Sequence, residues 1–305
     1  MLYIRADGNA QIGMGHVMRC LSIAEAAAAL GMEYKSVFLV ADEGCCSMIE
    51  DRGFQAIVLH TDYKKMMDEL SQLAQLLNKE WDILLVDSYQ ADTEYFEAVS
   101  EFALTICLED MGVPYPVDLL INYNLYAPKL REKYHMYGKM LHTLLGVQYM
   151  PLRAVFQKNN TYYVRDKVTD VMITTGGSDP YFAAGAFIDA FLAAERELCD
   201  CDDRDPITWH IVSGPFNAFA KILKETYKEY DNVVIHEGLK DLKSLMKQCD
   251  IVLTATGSTV YEVSVLGVPM IAFYFAENQR QGAEELAELT DIVNAGCFCD
   301  DKAML

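Results

Sequence analysis

The chain of 305 residues is long enough for two domains with a core in each. With 52% hydrophobic and 23% charged residues it reads as globular, and its formal charge of −20 argues against general binding to nucleic-acid backbones or anionic lipid surfaces. A small phosphorylated ligand remains compatible with that charge, through loop N–H groups and helix N-termini.

Met1-Leu2-Tyr3-Ile4-Arg5 reads as a buried strand and lacks a charged n-region followed by an apolar h-region, so no signal peptide is expected. No apolar run approaches the ~20 residues of a membrane span, and a cytoplasmic location is expected. Cys20, Cys107 and Cys249 lie in apolar segments, as reduced core thiols do. The pairs Cys199/Cys201 and Cys297/Cys299 match no standard ligand spacing, and no metal site is expected.

The first half alternates strand and helix. Leu2–Ala6 is a strand, and His16–Leu30 a helix that stops at Gly31. Lys35–Val40 reads as a strand, Asp42–Arg52 as a helix capped by Asp42, Ala56–Leu59 as a strand and Lys64–Lys79 as a longer helix. Asp82–Val86 is a continuous apolar run, as expected of a parallel strand covered on both faces, and Leu104–Leu108 and Asp118–Ile121 are further strands.

Pro151 to about Val168 interrupts the rhythm and reads as a linker, which predicts domains over residues 1–150 and 169–305. Strands are then predicted at Val171–Thr174, Ile207–Ser213, Val233–His236, Ile251–Thr254 and Pro269–Tyr274. Helices are predicted at Tyr181–Glu197, Phe216–Tyr230, Leu239–Gln248, Ser258–Leu266 and about Gln279–Leu289, and Lys302–Leu305 reads as the start of another. Repeated β-α units imply parallel sheets with right-handed crossovers. The predicted fold is therefore α/β, with two doubly wound Rossmann-like domains facing a cleft.

Ligands of such sheets collect beyond the carboxyl ends of the strands. The loop after the first strand, Asp7 to His16, carries Gly13 and Gly15, and places His16 at a helix N-terminus, where the dipole favours a neutral imidazole able to act as a base. The loop is too long, and its third glycine position is Met18, so it is not a dinucleotide fingerprint; a Gly-rich turn capped by a histidine is the plain alternative. Thr174 to Pro180 holds Gly177 and Ser178 without a Gly-Lys-Ser/Thr, so it is an anion-approachable turn or a structural one, not a P-loop. Thr254 to Glu262 leads small residues into a helix whose free N–H groups suit a diphosphate, with Glu262 a ribose acceptor or simply a helix acid. Asn278 and Gln279 suit a sugar or phosphate, or cap the next helix, and Asp87, Tyr89 and Glu109-Asp110 end first-half strands as cleft or turn residues. His60, His135, His142, His210 and His236 show no metal-ligand spacing and read as structural.

Taken together, Ile4-Arg5-Ala6-Asp7, Ile12 to Leu21, Asp87-Ser88-Tyr89, Glu109-Asp110 and Leu145 to Phe156 resemble the UDP-sugar hydrolases of pseudaminic acid biosynthesis and the spore coat polysaccharide proteins grouped with them. The likeness continues, in order, through Gly176 to Pro180, Gly257 to Glu262 and Glu277-Asn278-Gln279. The second half alone also resembles the GT-B N-acetylglucosaminyltransferase that makes lipid II. The chain departs from the hydrolase pattern at Ser88, where the family often has His, and at Glu109, where it often has Asp. The resemblance implies cleavage of UDP-2,4-diacetamido-2,4,6-trideoxy-β-L-altropyranose to the free sugar and UDP, without metal or other cofactor. His16, Asp7 and Tyr89 would be catalytic; Gly13, Gly15, Arg19, Gly177, Ser178, Gly257, Ser258, Thr259, Glu262, Asn278 and Gln279 would bind substrate. A GT-B glycosyltransferase and a non-catalytic nucleotide-sugar-binding protein are the alternatives.

Overall fold

The computed structural model describes residues 1–9, 11–31, 35–135, 142–158, 160–198, 206–239, 241–275 and 277–298. The expectations at Ala10, Asn159, Cys199, Cys201, Cys299 and 302–305 lie outside the described residues. The chain divides into two compact units, Met1–Ala154 and Val155–Leu305.

The first unit contains β1 (Leu2–Ala6), α1 (Gly15–Ala29), β2 (Ser36–Val40), α2 (Cys46–Asp51), β3 (Gln55–Val58), α3 (Leu70–Leu76), β4 (Ile83–Asp87), α4 (Thr93–Val99), β5 (Leu104–Leu108), β6 (Leu119–Asn122), α5 (Arg131–His135) and β7 (His142–Leu145). Its seven strands run parallel in the order β3-β2-β1-β4-β5-β6-β7. The order reverses between β1 and β4, where Ala6 is paired with Asp87. Apolar strand residues such as Leu39, Leu84 and Val86 pack with Tyr95 and Phe96 of α4 into one core.

The second unit contains β8 (Asp170–Thr174), α6 (Ala183–Leu198), β9 (Thr208–Ser213), α7 (Ala220–Tyr227), β10 (Val233–Glu237), α8 (Leu242–Gln248), β11 (Ile251–Ala255), α9 (Ser258–Leu266), β12 (Met270–Tyr274), α10 (Glu277–Leu289) and β13 (Val293–Cys297). Its six parallel strands follow the order β10-β9-β8-β11-β12-β13, with the reversal between β8 and β11. Phe187, Trp209, Ile211 and Phe273 anchor a separate core. Each unit is thus a doubly wound sheet, as predicted.

Local chemistry sets the element ends. Gly31, at φ +68°, ends α1 in the left-handed region, and the Asp42 carboxylate accepts from the Gly44 N–H. The helix expected from Asp42 opens as a 3₁₀ turn over Glu43–Cys45 before α2 begins. The long helix expected over Lys64–Lys79 is shorter: Met66–Glu69 is 3₁₀, and α3 stops at Leu76 because Asn78 forms a turn in which its N–H donates to the Asp82 carboxylate at 2.9 Å. The helix expected from Tyr181 begins at Ala183, because the Asp179 carboxylate accepts from the N–H groups of Ala183 and Ala184 at 2.7 and 3.0 Å and fixes the start there.

The interval expected to be a linker is tied to the second unit. Lys243 Nζ donates to the Val155 carbonyl at 2.7 Å and to that of Lys158, Tyr162 Oη donates to the Cys249 carbonyl at 2.9 Å, and Arg165 Nη1 pairs with Asp250 at 2.5 Å. Cys20, Cys107 and Cys249 are buried free thiols. No helix among the described residues is long and apolar enough to cross a membrane.

Candidate active site

The reversal between β1 and β4 opens a crevice at the carboxyl ends of these strands, and a pocket lies there, lined by Asp7, Ile12, His16, Tyr63, Asp87, Ser88, Tyr89 and Gln90. The loop after β1 is shaped by Asn9, whose side-chain oxygen accepts from the N–H groups of Gln11 and Ile12, and whose carbonyl accepts from Gly13. Gly13 needs its freedom here, because it sits at φ +71°. Gly15 is the first residue of α1, and Met14, the residue before it, offers no side-chain cap. His16 follows in the first turn and is buried.

Helical spacing puts His16 and Arg19 on one face of α1, toward the end of β4. There His16 Nδ1 lies 2.6 Å from Asp87 Oδ1. Arg19 grips the same carboxylate as a fork, Nε at 2.5 Å from Oδ2 and Nη2 at 2.5 Å from Oδ1. Its remaining nitrogen, Nη1, donates to Asp110 at 3.0 Å and to Tyr123 Oη at 2.6 Å. Burial by itself would raise the Asp87 carboxyl, but the Arg19 guanidinium, and then His16, outweigh it and hold the group well below the usual carboxylate range. An ionised Asp87 only accepts, so His16 donates to it from Nδ1, and in the neutral ring Nε2 is then the acceptor. The Arg19 Nη2 to His16 Nδ1 approach of 3.2 Å is then two donors converging on one oxygen.

Tyr89 packs edge-on against the His16 ring, 4.6 Å between centroids, and its hydroxyl donates to Asp110 at 3.0 Å. Burial, then the charge of Asp110, raises the Tyr89 hydroxyl, which stays protonated at neutral pH. Asp7 reaches the pocket but is held from behind, accepting from the Ala41 N–H at 2.7 Å and from Arg5 Nη1 at 2.6 Å. Arg5 is fully buried and turns its Nε to Glu69, which also accepts from Tyr95 Oη at 2.7 Å. Glu109 is committed to its own loop: its oxygens accept from the N–H groups of Met111 and Val113 and from Tyr134 Oη.

In the second unit, Gly176 turns at φ +85°, and the loop after β9 presses against Gly177, with the Phe216 N–H donating to the Gly177 carbonyl at 3.0 Å. Ser178 is half-buried beside this contact. Thr175 Oγ1 and Ser213 Oγ, at the ends of β8 and β9, and Asn217 Nδ2, in the loop after β9, are buried without a hydrogen-bond partner among the described residues. Across the reversal, Gly257 is the N-cap of α9 and supplies no side-chain cap, so Ser258 and Thr259 open the helix with their N–H groups. Glu262 is buried one turn further on. Gln279 accepts from the Phe275 N–H at 3.0 Å, while the side chain of Asn278 lies outside the described residues.

The structure therefore joins His16, Arg19, Asp87, Tyr89 and Asp7 at one crevice, and Gly177, Ser178, Gly257, Ser258, Thr259 and Glu262 at strand ends or helix starts of the other unit. Sequence reasoning missed Tyr63, Gln90 and Tyr123, for which spacing offers no signal. Among the described residues no group of three or more His, Cys, Asp or Glu is arranged to hold a metal ion.

A family described as a protein of unknown function (DUF354) matches residues 207–282. The chain is 25% identical, over 288 residues, to an uncharacterised protein of Methanocaldococcus jannaschii, covering 91% of this chain and 56% of that protein. It therefore spans just over half of that relative's length. It is 25% identical to the spore coat polysaccharide biosynthesis protein SpsG of Bacillus subtilis over 296 residues, 93% of this chain and 80% of that one. It is 23% identical to the UDP-2,4-diacetamido-2,4,6-trideoxy-β-L-altropyranose hydrolase of Campylobacter jejuni over 287 residues, 93% of this chain and 95% of that one. The relationship expected from the ordered motifs is borne out over most of the chain. Among solved structures, Acinetobacter baumannii MurG superposes with a TM-score of 0.63 at 13% identity, covering 97% of this chain and 85% of that one. That likeness bears out the GT-B-like class of the fold.

Proposed function

We propose that the chain hydrolyses a UDP-sugar at the anomeric carbon, without metal, and that UDP-2,4-diacetamido-2,4,6-trideoxy-β-L-altropyranose is the substrate to offer first. The observation that carries the reading is the pairing of His16 Nδ1 with Asp87 at a pocket on a parallel-sheet reversal, which in the neutral ring leaves Nε2 as the acceptor. Relatedness to a named hydrolase of that UDP-sugar over 93% of the chain supports it.

In the proposed reaction, Nε2 of His16 takes a proton from a water molecule whose oxygen attacks the anomeric carbon. The bond from that carbon to the bridging oxygen breaks, the configuration inverts, and UDP leaves with the bridging oxygen and the bonding pair. UDP is a good leaving group, so the reaction asks for a positioned water and a stabilised diphosphate more than for a strong acid. The N–H groups at Ser258 and Thr259 are assigned to the diphosphate and Glu262 to the ribose; Tyr89 and Asp7 border the reacting sugar.

His16→Ala should lower turnover at least ~10²-fold, the usual scale for loss of a general base, with UDP affinity unchanged. Turnover near that of the wild type would remove His16 from the mechanism. Chelator should leave the rate intact; loss of activity that zinc or magnesium restores would overturn the metal-free part.

A further inference from the structure

We propose that Arg19 is a positioning residue: it locks Asp87, and through Asp87 the tautomer and ring plane of His16, and it does not contact substrate. The proposal deepens the reading of His16 as the base and rests on it for its effect on turnover, though not for its structural content.

Arg19 has little left to offer a substrate. Nε, Nη1 and Nη2 are each bonded to protein partners, and the side chain is buried. The one N–H left unspent is on Nη2, the nitrogen crowded 3.2 Å from His16 Nδ1, so the guanidinium has no open face to turn toward a sugar. What it does instead is define Asp87. Without Arg19, the Asp87 carboxylate would keep one strong partner, His16, and a weak one, the Cys20 thiol at 3.6 Å. A carboxylate held at one oxygen swings about its terminal torsion; one held by a planar fork at both oxygens does not.

Arg19 also ties two sides of the imidazole together. Its fork fixes Asp87, behind Nδ1, while Nη1 fixes Asp110, which accepts from the hydroxyl of the tyrosine stacked edge-on to the ring. Tyr123, bonded to the same Nη1 and lying under the guanidinium at 5.6 Å, keeps Arg19 from withdrawing. Lysine carries the same charge but is a single ammonium without a fork, so Arg19→Lys separates charge from positioning.

The experiment is a long-range nitrogen–carbon NMR spectrum of histidine-labelled protein, run beside steady-state kinetics with the UDP-sugar above. Wild-type His16 should show one neutral tautomer, protonated on Nδ1. In Arg19→Lys the two tautomers should average, kcat should fall ~10–100-fold, the scale for removing a supporting partner, and KM and UDP affinity should hold. A wild-type ring protonated on Nε2 overturns the proposal. So does an Arg19→Lys protein that keeps the single Nδ1–H tautomer and its kcat while KM rises, which is the behaviour of a substrate contact. If the protein turns over no UDP-sugar, the spectra still decide the role of Arg19, while the base assignment fails separately. Should Arg19→Lys not fold, Asp110→Asn loosens the same guanidinium at its far end, and the same averaging is expected; a sharp single tautomer there counts against the proposal.

Discussion

Asp87 is the residue on which the first unit's polar chemistry converges, since His16, Arg19 and, more weakly, Cys20 of α1 all donate to its carboxylate. Its acidity gives a pH prediction with a fixed sign. The folded value lies below the ordinary carboxylate value of ~3.9, so the pairing stabilises the fold fully above that pH and loses its effect as pH falls toward the folded value. Asp87→Asn removes the charge but keeps the shape, and leaves Arg19 buried with its main counter-ion gone. It should cost ~3–5 kcal/mol at pH 7. Urea unfolding of both proteins at pH 7 and again near pH 3 should show the gap narrowing in acid; a gap that stays constant or widens would contradict the pairing. This centre was only half legible in the sequence. His16 and its glycines announced themselves, because a histidine entering a helix after a long loop is a local pattern. Arg19 was visible as part of a motif, but its partners lie 68, 91 and 104 residues away, and no spacing rule reaches that far. The one clue was Asp87 closing an apolar strand, and only its pairing opposite Ala6 shows that it ends beside the His16 loop.

The elements were legible where local chemistry decides them. Ser258–Leu266 coincides with α9, because Gly257 and Gly267 punctuate both ends. Elements set by tertiary contact were not. Helix α4, capped by Asp92 at the Tyr95 N–H, and the edge strands β7 and β13 have short or weakly apolar sequences. β13 reads Val-Asn-Ala-Gly-Cys and owes its place to pairing with β12. The turns were the other gap, since a run such as Lys64–Lys79 keeps helical periodicity even where Asn78 diverts the backbone. Gly214 supplies a test at this scale. A Cβ there would stand 2.2 Å from the Gly176 carbonyl oxygen and 2.5 Å from that of Gly177, both backbone atoms. Gly214→Ala should therefore destabilise the second unit by ~1–3 kcal/mol or more, as overpacking does. Gly15→Ala, whose Cβ meets nothing within 4 Å, should melt close to the wild type. Equal melting temperatures for all three proteins would show that the two loops do not press together as described.

At the scale of the molecule, two doubly wound sheets were readable from the alternation of strand and helix, because parallel strands buried on both faces leave continuous apolar runs. The proposed division of labour gives the base to the first unit and the nucleotide to the second, and its central claim is which bond breaks. The most direct measurement is to react the UDP-sugar in water enriched in oxygen-18 and analyse both products at early times, before ring opening exchanges the anomeric oxygen. Attack by a His16-activated water at carbon places the label in the free sugar, leaves UDP unlabelled and first releases the inverted anomer. Label in the nucleotide product, or a sugar phosphate among the products, would contradict it.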